Sequence, residues 1–377
     1  MTKQTKPNNI NHEKYMQQAL DLAAKGNPSP NPYVGCVIVK DNKVIGKGYH
    51  TKVGEAHAEA AAIANVSGNL TEKKKKIAGS IFYVTLEPCV HYGKTPPCVD
   101  KIISFKPKKV VMAMIDPNKL VNGRGIKKLN EAGIETEIGV LEQDAIYQNR
   151  IYNKYMTTGL PYVLMKSAVT MNWKISWGDG KKKRITGKDS HEFVHKLRNK
   201  VDAILVGNNT IIRDDPHLTT RIVAESPTLE VKDPMRVILD SKLKIPLNAN
   251  VLNDSNVILI TGSKNKVPSV KKRLLRQKGI KVFVTRDKRI SIKEVLKILG
   301  NMGKTSLLIE GGARINASAV KSKIVDEIYF LVAPFVINDK NALGVFSGKV
   351  DNLRFKKISV NKLGDDFVVR AIPSWKA

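Results

Sequence analysis

Cysteine is scarce in this chain, with three among 377 residues. So few thiols cannot build a disulfide scaffold, and their scarcity fits a reducing compartment. No run approaches the roughly 18 apolar residues that a membrane span needs. Residues 1–11 lack the apolar core of a secretory signal. The expectation is a cytoplasmic chain with no membrane partner. No Gly-x-Gly-x-x-Gly occurs, which removes the Rossmann dinucleotide fingerprint. Acidic residues are also short: 34 Asp and Glu against 64 Lys and Arg give a formal net charge of +30. Such a charge suits a polyanion partner. The basic runs 73–76, 181–184 and 271–273 are scattered, however, and none carries the interleaved aromatics of a single-strand stacking platform. The charge therefore reads as lysine-rich solvated faces that attract a phosphorylated small molecule, with no nucleic-acid partner.

What is present begins with His57-Ala58-Glu59, taken with Pro88-Cys89 and Pro97-Cys98. Zinc favours imidazole and thiolate ligands, and a catalytic zinc keeps three protein ligands and one water. His57, Cys89 and Cys98 supply that set, for one Zn2+ per chain. Glu59 stands at a helix start, two residues past the histidine, where its carboxylate can reach the water without ligating the metal. Zinc in such a site acidifies its water to a pKa of about 7. Glu59 then shuttles protons until ammonia leaves, which is the arrangement of zinc nucleobase deaminases. The competing reading is a closed structural site, which wants a fourth ligand. Cys36 alone is left to provide one, and it lies in the apolar run 33–39, where a buried free thiol is the commoner outcome.

With 42% hydrophobic residues the chain can fill two cores. Asn11 caps a helix that Gly26 ends; strands follow at 33–40 and 44–49, joined by Asp41-Asn42. The run 73–76 reads as a loop before a strand at 81–86. Cys98 opens a helix, and further elements alternate to about residue 150. Residues 1–150 thus form a three-layer α/β sandwich. Loop residues Asn31, His50, His91, Lys94, Asp116 and Asn118 gather near the metal segments, where ligands bind in α/β folds. Residues 151–160 read as a linker. From 161 to 377 a second α/β pattern runs, with strands at 162–168, 203–207, 236–240, 257–261, 281–284, 306–310 and 327–332. In it Glu310-Gly311-Gly312-Ala313-Arg314 is a strand-to-helix turn that can cradle a phosphate.

Asn31-Pro32, His57-Ala58-Glu59, Leu86-Glu87-Pro88-Cys89, the eight residues separating Cys89 from Cys98 with their Gly-Lys-Thr-Pro-Pro, and Asp116-Pro117-Asn118 resemble the deaminase half of the bifunctional riboflavin-biosynthesis deaminase–reductase family. The resemblance implies a cytidine-deaminase-like domain with Glu59 as proton donor and the six loop residues holding the substrate. That substrate would be 2,5-diamino-6-(5-phosphoribosylamino)pyrimidin-4(3H)-one. It continues through Lys166, Arg184-Ile185-Thr186, Arg198, Gly207, Asp214-Asp215-Pro216, Leu218-Thr219 and Glu310-Gly311-Gly312. There it implies a dihydrofolate-reductase-like α/β domain that reduces the ribose of 5-amino-6-(5-phosphoribosylamino)uracil with NADPH. The implied cofactor residues are Ala168, Arg184, Thr210, Asp214, Ser241, Gly312, Ala313, Arg314, Ile315, Asn316, Ala317 and Ser318. Lys182, Arg198, Leu218, Arg221 and Glu310 would meet the substrate. A homo-oligomer is expected, with the apolar stretch 328–336 as a subunit contact.

The second half departs from the family pattern at Thr170-Met171-Asn172-Trp173, where an aspartate has become Asn172 and a glycine Trp173, and in the basic run 181–184. Two alternatives therefore stay open on the residues alone. One is a deaminase with a catalytically lapsed reductase domain; the other is a polynucleotide-binding deaminase.

Overall fold

The computed structural model describes residues 11–92, 96–178, 183–222, 231–262, 269–287 and 289–375. The chain forms two compact units, Met1–Thr158 and Gly159–Ala377.

In the first unit, α1 (His12–Ala23) precedes the hairpin β1 (Gly35–Lys40) and β2 (Lys43–Tyr49). Asp41 and Asn42 both take positive φ (49° and 60°), as a two-residue type I′ turn requires. Then follow α2 (Ala58–Ala64), α3 (Leu70–Ile77), β3 (Ile81–Val84), α4 (Cys98–Ser104), β4 (Lys109–Met112), α5 (Arg124–Glu131), β5 (Glu135–Ile138), α6 (Glu142–Gln148) and α7 (Arg150–Thr158). The sheet order is β2-β1-β3-β4-β5. Successive strand residues point to opposite faces, and both faces are covered. Cys36, Ile38, Phe82, Val84, Val110 and Met112 pack with Ala58, Ile63, Val99 and Leu129 from helices on one side. Val37, Val39, Ile81, Tyr83 and Val111 pack with Tyr15, Leu20, Ala145 and Tyr152 on the other. This is the three-layer sandwich the sequence pattern predicts.

Two sequence expectations are corrected here. Residues 73–76 are not a loop but part of α3, started by a capping box between Asn69 and Glu72. Only Ile77 of that helix is buried, so no apolar period reveals it. The stretch read as a linker is α7, whose buried Tyr152 belongs to the first unit's core.

The second unit runs β6 (Tyr162–Thr170), α8 (Lys188–Asn199), β7 (Ala203–Gly207), α9 (Asn208–Asp214), β8 (Met235–Leu239), β9 (Val257–Thr261), α10 (Ser269–Gln277) and β10 (Lys281–Val284). It continues with α11 (Ile292–Asn301), β11 (Ser306–Ile309), α12 (Ala313–Lys321), β12 (Glu327–Ala333), β13 (Arg354–Leu363) and β14 (Asp366–Ser374). Its nine-stranded sheet is ordered β10-β9-β8-β7-β11-β6-β12-β14-β13. All strands from β10 to β12 in that order run parallel, and β14 and β13 close the sheet antiparallel. One face packs on α11 and α12 through Val295, Leu299 and Val320. The other carries Ile211 of α9 and Leu275 of α10. The hairpin β13–β14 escapes the sequence pattern because β13 is an edge strand rich in lysine and mostly exposed. Within the stretch 328–336, the β12 residues are all buried in the sheet, which leaves Pro334 and Val336 as its exposed positions.

Candidate active site

Glycines set the position of the first site. A Cβ at Gly48 would lie 2.2 Å from Ala62 N, and one at Gly46 2.6 Å from Ala62 O, so β2 admits α2 only because both are glycine. That close packing places His57, the N-cap of α2, and Glu59, in its first turn. His57 Nδ1 lies 3.2 Å from Cys98 Sγ and 3.6 Å from Cys89 Sγ, and the Cys98 amide donates to Cys89 Sγ at 3.4 Å. The three donor atoms lie within 4.8 Å of one another, and Cys36 is not among them. One nitrogen and two sulfurs converging at this distance fit tetrahedral zinc with one position open. A fourth protein ligand, which a closed structural site needs, is absent among the described residues.

The electrostatics suit that role. Cys89 is pushed down to about 4, first by its hydrogen bond with Cys98 and then, against burial, by His57. Cys98 is held up, first by that shared bond and then by burial. Burial, followed by the Cys89 thiolate, pushes Glu59 up to about 6. A carboxyl poised there both takes and returns a proton near neutrality.

Asn31 and His50 join this group. Asn31 Nδ2 lies 3.0 Å from His50 Nε2, and His50 Nδ1 lies 3.1 Å from Ala56 O. The carbonyl can only accept, which assigns the ring proton to Nδ1 and leaves Nε2 to accept from Asn31. His50 also stands edge-on to His57, with ring centroids 5.3 Å apart.

Asp116 forms a second polar cluster. Its carboxylate accepts from Asn118 N at 2.8 Å and from Tyr152 Oη at 3.0 Å. Burial is the main cause that lifts Asp116 to about 6, with Glu87 adding and His91 opposing. Tyr152 in turn feels both Asp116 and Cys89, which ties this cluster to the metal ligands. His91 is exposed, and Lys94 falls outside the described residues.

Sequence reasoning assigns no role to three residues that hold this arrangement. Glu87, 2% exposed, accepts backbone N–H groups of Asp116, Gly123, Gly125 and Ile126 at 2.8 to 3.3 Å. Asn149 bonds both backbone groups of Tyr33, and Tyr152 bonds Asp116. Tyr152 was hidden by the linker reading, Asn149 carries no local signal, and Glu87 entered only as part of the Leu86-Glu87-Pro88-Cys89 motif, without a role.

In the second unit, the proposed ligand residues follow the carboxyl ends of neighbouring parallel strands. Ala168 is on β6, Thr210 and Asp214 follow β7, Ser241 follows β8, and Gly312 follows β11 as N-cap of α12. Ligands of open α/β sheets gather at that edge. Gly311 lets Ile315 of α12 pack against its turn, since a Cβ there would lie 2.6 Å from Ile315 Cβ. Of the segment from Gly312 to Ser318, Gly312 and Arg314 are exposed, Ile315 and Ser318 partly so, and Ala313 and Ala317 buried. Asn316 is fully buried and donates to Ser167 Oγ at 2.9 Å. Arg198 forms a bidentate pair with Glu310 at 2.7 and 3.0 Å. Although burial alone would raise it, Arg198 and Lys166 hold the Glu310 carboxyl below its ordinary value. Leu218 is buried at a φ of 58°. Arg184 and Arg221 are exposed and both act on His191. Lys182 falls outside the described residues.

The departures at 170–173 are accommodated. Asn172 donates to Ile337 O and accepts from Ile337 N, a pairing an aspartate cannot complete. Trp173 takes the glycine-like φ of 61°, and its ring meets Phe330 edge-on at 5.1 Å.

The pattern of the cytidine and deoxycytidylate deaminase zinc-binding region matches residues 9–114, and that of the RibD C-terminal domain matches residues 161–369. The riboflavin biosynthesis protein RibD of Aquifex aeolicus is 41% identical over 94% of this chain and 96% of its own. That of Bacillus amyloliquefaciens is 41% identical over 96% of each. The chain belongs to the RibD family. Acinetobacter baumannii RibD superposes with a TM-score of 0.86 at 35% identity, covering 97% of this chain and 99% of its own. A Thermotoga maritima structure described as a diaminohydroxyphosphoribosylaminopyrimidine deaminase/5-amino-6-(5-phosphoribosylamino)uracil reductase gives 0.82 at 31%, covering 96% of this chain and 99% of its own. The RibD-family chain is thus a bifunctional deaminase and reductase of riboflavin biosynthesis, with zinc in its first domain and NADPH serving its second. Relatives matching both units at full length support this reading over a lapsed reductase or a polynucleotide deaminase. No helix of the described residues is long and apolar enough to cross a membrane.

Proposed function

We propose that the first unit hydrolyses the 2-amino group of 2,5-diamino-6-(5-phosphoribosylamino)pyrimidin-4(3H)-one and that the second reduces the ribose of the deaminated product. The observation that carries this is the open three-donor group of His57, Cys89 and Cys98 beside the buried Glu59. Zinc, when bound there, supplies an acidified water. Glu59 takes a proton from the attacking water and delivers it to the departing amine, so that water enters and ammonia leaves. Asn31 and His50 bind one side of the pyrimidine, and Asp116, Asn118, His91 and Lys94 the other side and its ribose phosphate.

In the second unit NADPH supplies the hydride. Gly312 and the first N–H groups of α12 receive a cofactor phosphate. Ala168, Arg184, Thr210, Asp214, Ser241, Ala313, Arg314, Ile315, Asn316, Ala317 and Ser318 complete the cofactor site. Lys182, Arg198, Leu218, Arg221 and Glu310 orient the substrate. The chain works in the cytoplasm on this small molecule, without nucleic acid, and as a homo-oligomer. Exposed Ile358 and Val360 on edge strand β13 are apolar surface that a second copy would cover.

The test follows ammonia release and NADPH oxidation together, using zinc-loaded protein and the diaminopyrimidine ribosyl phosphate. Both signals are expected. Ammonia without NADPH oxidation would remove the reductase assignment, and no ammonia from zinc-replete protein would sink the whole reading.

A further inference from the structure

Helix α8 carries His195 and Arg198 one turn apart on one face, and both grip the same stretch of chain. Arg198 Nη1 donates to Thr219 O at 3.1 Å, and the Arg221 backbone N–H donates to His195 Nδ1 at 2.9 Å. This stretch lies outside every strand and helix and begins with Leu218 in the left-handed region. Its course therefore depends on such side-chain anchors rather than on a backbone ladder.

His195 is only 1% exposed. Accepting at Nδ1 puts its proton on Nε2, which has no partner among the described residues. The His191 ring stands edge-on to it at 4.6 Å. Burial first, then Arg198, His191 and Arg221, push His195 down to about 4 against the opposing Glu310. The ring therefore stays neutral and keeps its acceptor. The Arg221 side chain, in contrast, is exposed. Among the described residues its guanidinium makes one hydrogen bond, a long 3.4 Å contact to Thr219 Oγ1, and pairs with no carboxylate. Arg198 is already paired with Glu310, whereas Arg221, on the stretch that His195 holds, is an exposed cation able to meet an anion.

We infer that His195 is a positioning residue of the reductase: its Nδ1 fixes the Arg221 backbone so that the guanidinium is presented to the phosphate of the phosphoribosyl substrate. The inference rests on the reductase reading of the second unit.

Two substitutions separate this role from general packing. In His195→Asn the side-chain oxygen reproduces the Nδ1 acceptor; in His195→Gln the amide reaches the Nε2 position and the acceptor is lost. Ribose 5-phosphate binding is measured by titration calorimetry in the full chain. KM for the deaminated substrate, KM for NADPH and kcat are measured alongside. The loss of one hydrogen bond predicts about a tenfold weaker Kd and higher substrate KM for His195→Gln, with kcat and KM for NADPH within about twofold. His195→Asn restores binding to within about threefold. An Asn variant as weak as Gln, a Gln variant that binds like wild type, or a parallel loss of NADPH affinity would overturn the inference. Wild-type protein that neither binds ribose 5-phosphate nor oxidises NADPH would overturn the reductase reading and the inference with it.

Discussion

Glu87→Gln is the sharpest single change the first unit offers. Oε1 of Glu87 accepts from Gly125 N and Ile126 N, and Oε2 from Gly123 N and Asp116 N. Whichever oxygen becomes an amide nitrogen, one buried and one partly buried N–H lose their acceptor and face a donor instead. Each unsatisfied donor costs about 1–3 kcal/mol, so the unit loses roughly 4 kcal/mol. Repacking by rotation is blocked on one side, because Gly125 already lies so close that a Cβ there would sit 3.1 Å from Glu87 Oε1. At roughly 2–4 °C per kcal/mol for a unit of this size, the midpoint falls by about 10 °C. The assay heats the full chain in steps and reads residual ammonia release, with NADPH oxidation by the same sample as internal reference. The deaminase midpoint should drop while the reductase midpoint holds. A deaminase shift below about 2 °C would refute the claim that Glu87 anchors the Asp116 loop and the start of α5.

Three further outcomes are expected. Asp116, lifted by burial to about 6, keeps its proton in the folded state while an unfolded aspartate ionises near 4. The folded state then binds more protons between those values, so stability falls as pH rises from about 4 to about 6, by about 3 kcal/mol at most. Denaturant titrations should show Asp116→Asn gaining on wild type across that window, and a pH-independent difference would contradict it. A chelator should abolish ammonia release, restorable by zinc, while leaving NADPH oxidation with pre-deaminated substrate intact; equal loss of both activities would deny that the metal serves one unit. Trp173→Gly relieves a left-handed residue worth roughly 1 kcal/mol and forfeits an edge-to-face contact of similar size. The thermal midpoint of NADPH oxidation should therefore move by less than about 3 °C.

The sequence made the parts that follow local rules legible. Continuous apolar runs with both parities buried, as in 36–39 and 81–84, announce a covered sheet, and the imidazole and two thiols announce a metal. What stayed hidden follows other rules. Helix α3 is held by its caps and shows little apolar face, and β13 is a lysine-rich edge. Helix α7 was obscured because its buried residue is a single tyrosine whose use, the bond to Asp116, is a long-range fact. The role of Glu87 is likewise invisible to spacing: its four partners come from the Asp116 loop and the start of α5, 29 to 39 residues downstream. The proposed cofactor residues after β7, β8 and β11 rest on resemblance, since Thr210, Ser241 and Gly312 are individually ordinary.

Helix α7 also decides where the gene can be divided. A deaminase piece ending at residue 150 would keep every zinc ligand and Glu59 and look complete on paper. It would nevertheless lose the Tyr152 phenol that braces Asp116, and expose the core on which Tyr152 and Met156 pack. Ending the piece at Thr158 retains that brace, so a natural or engineered fission that preserves the first activity belongs after this helix, at the boundary before Gly159.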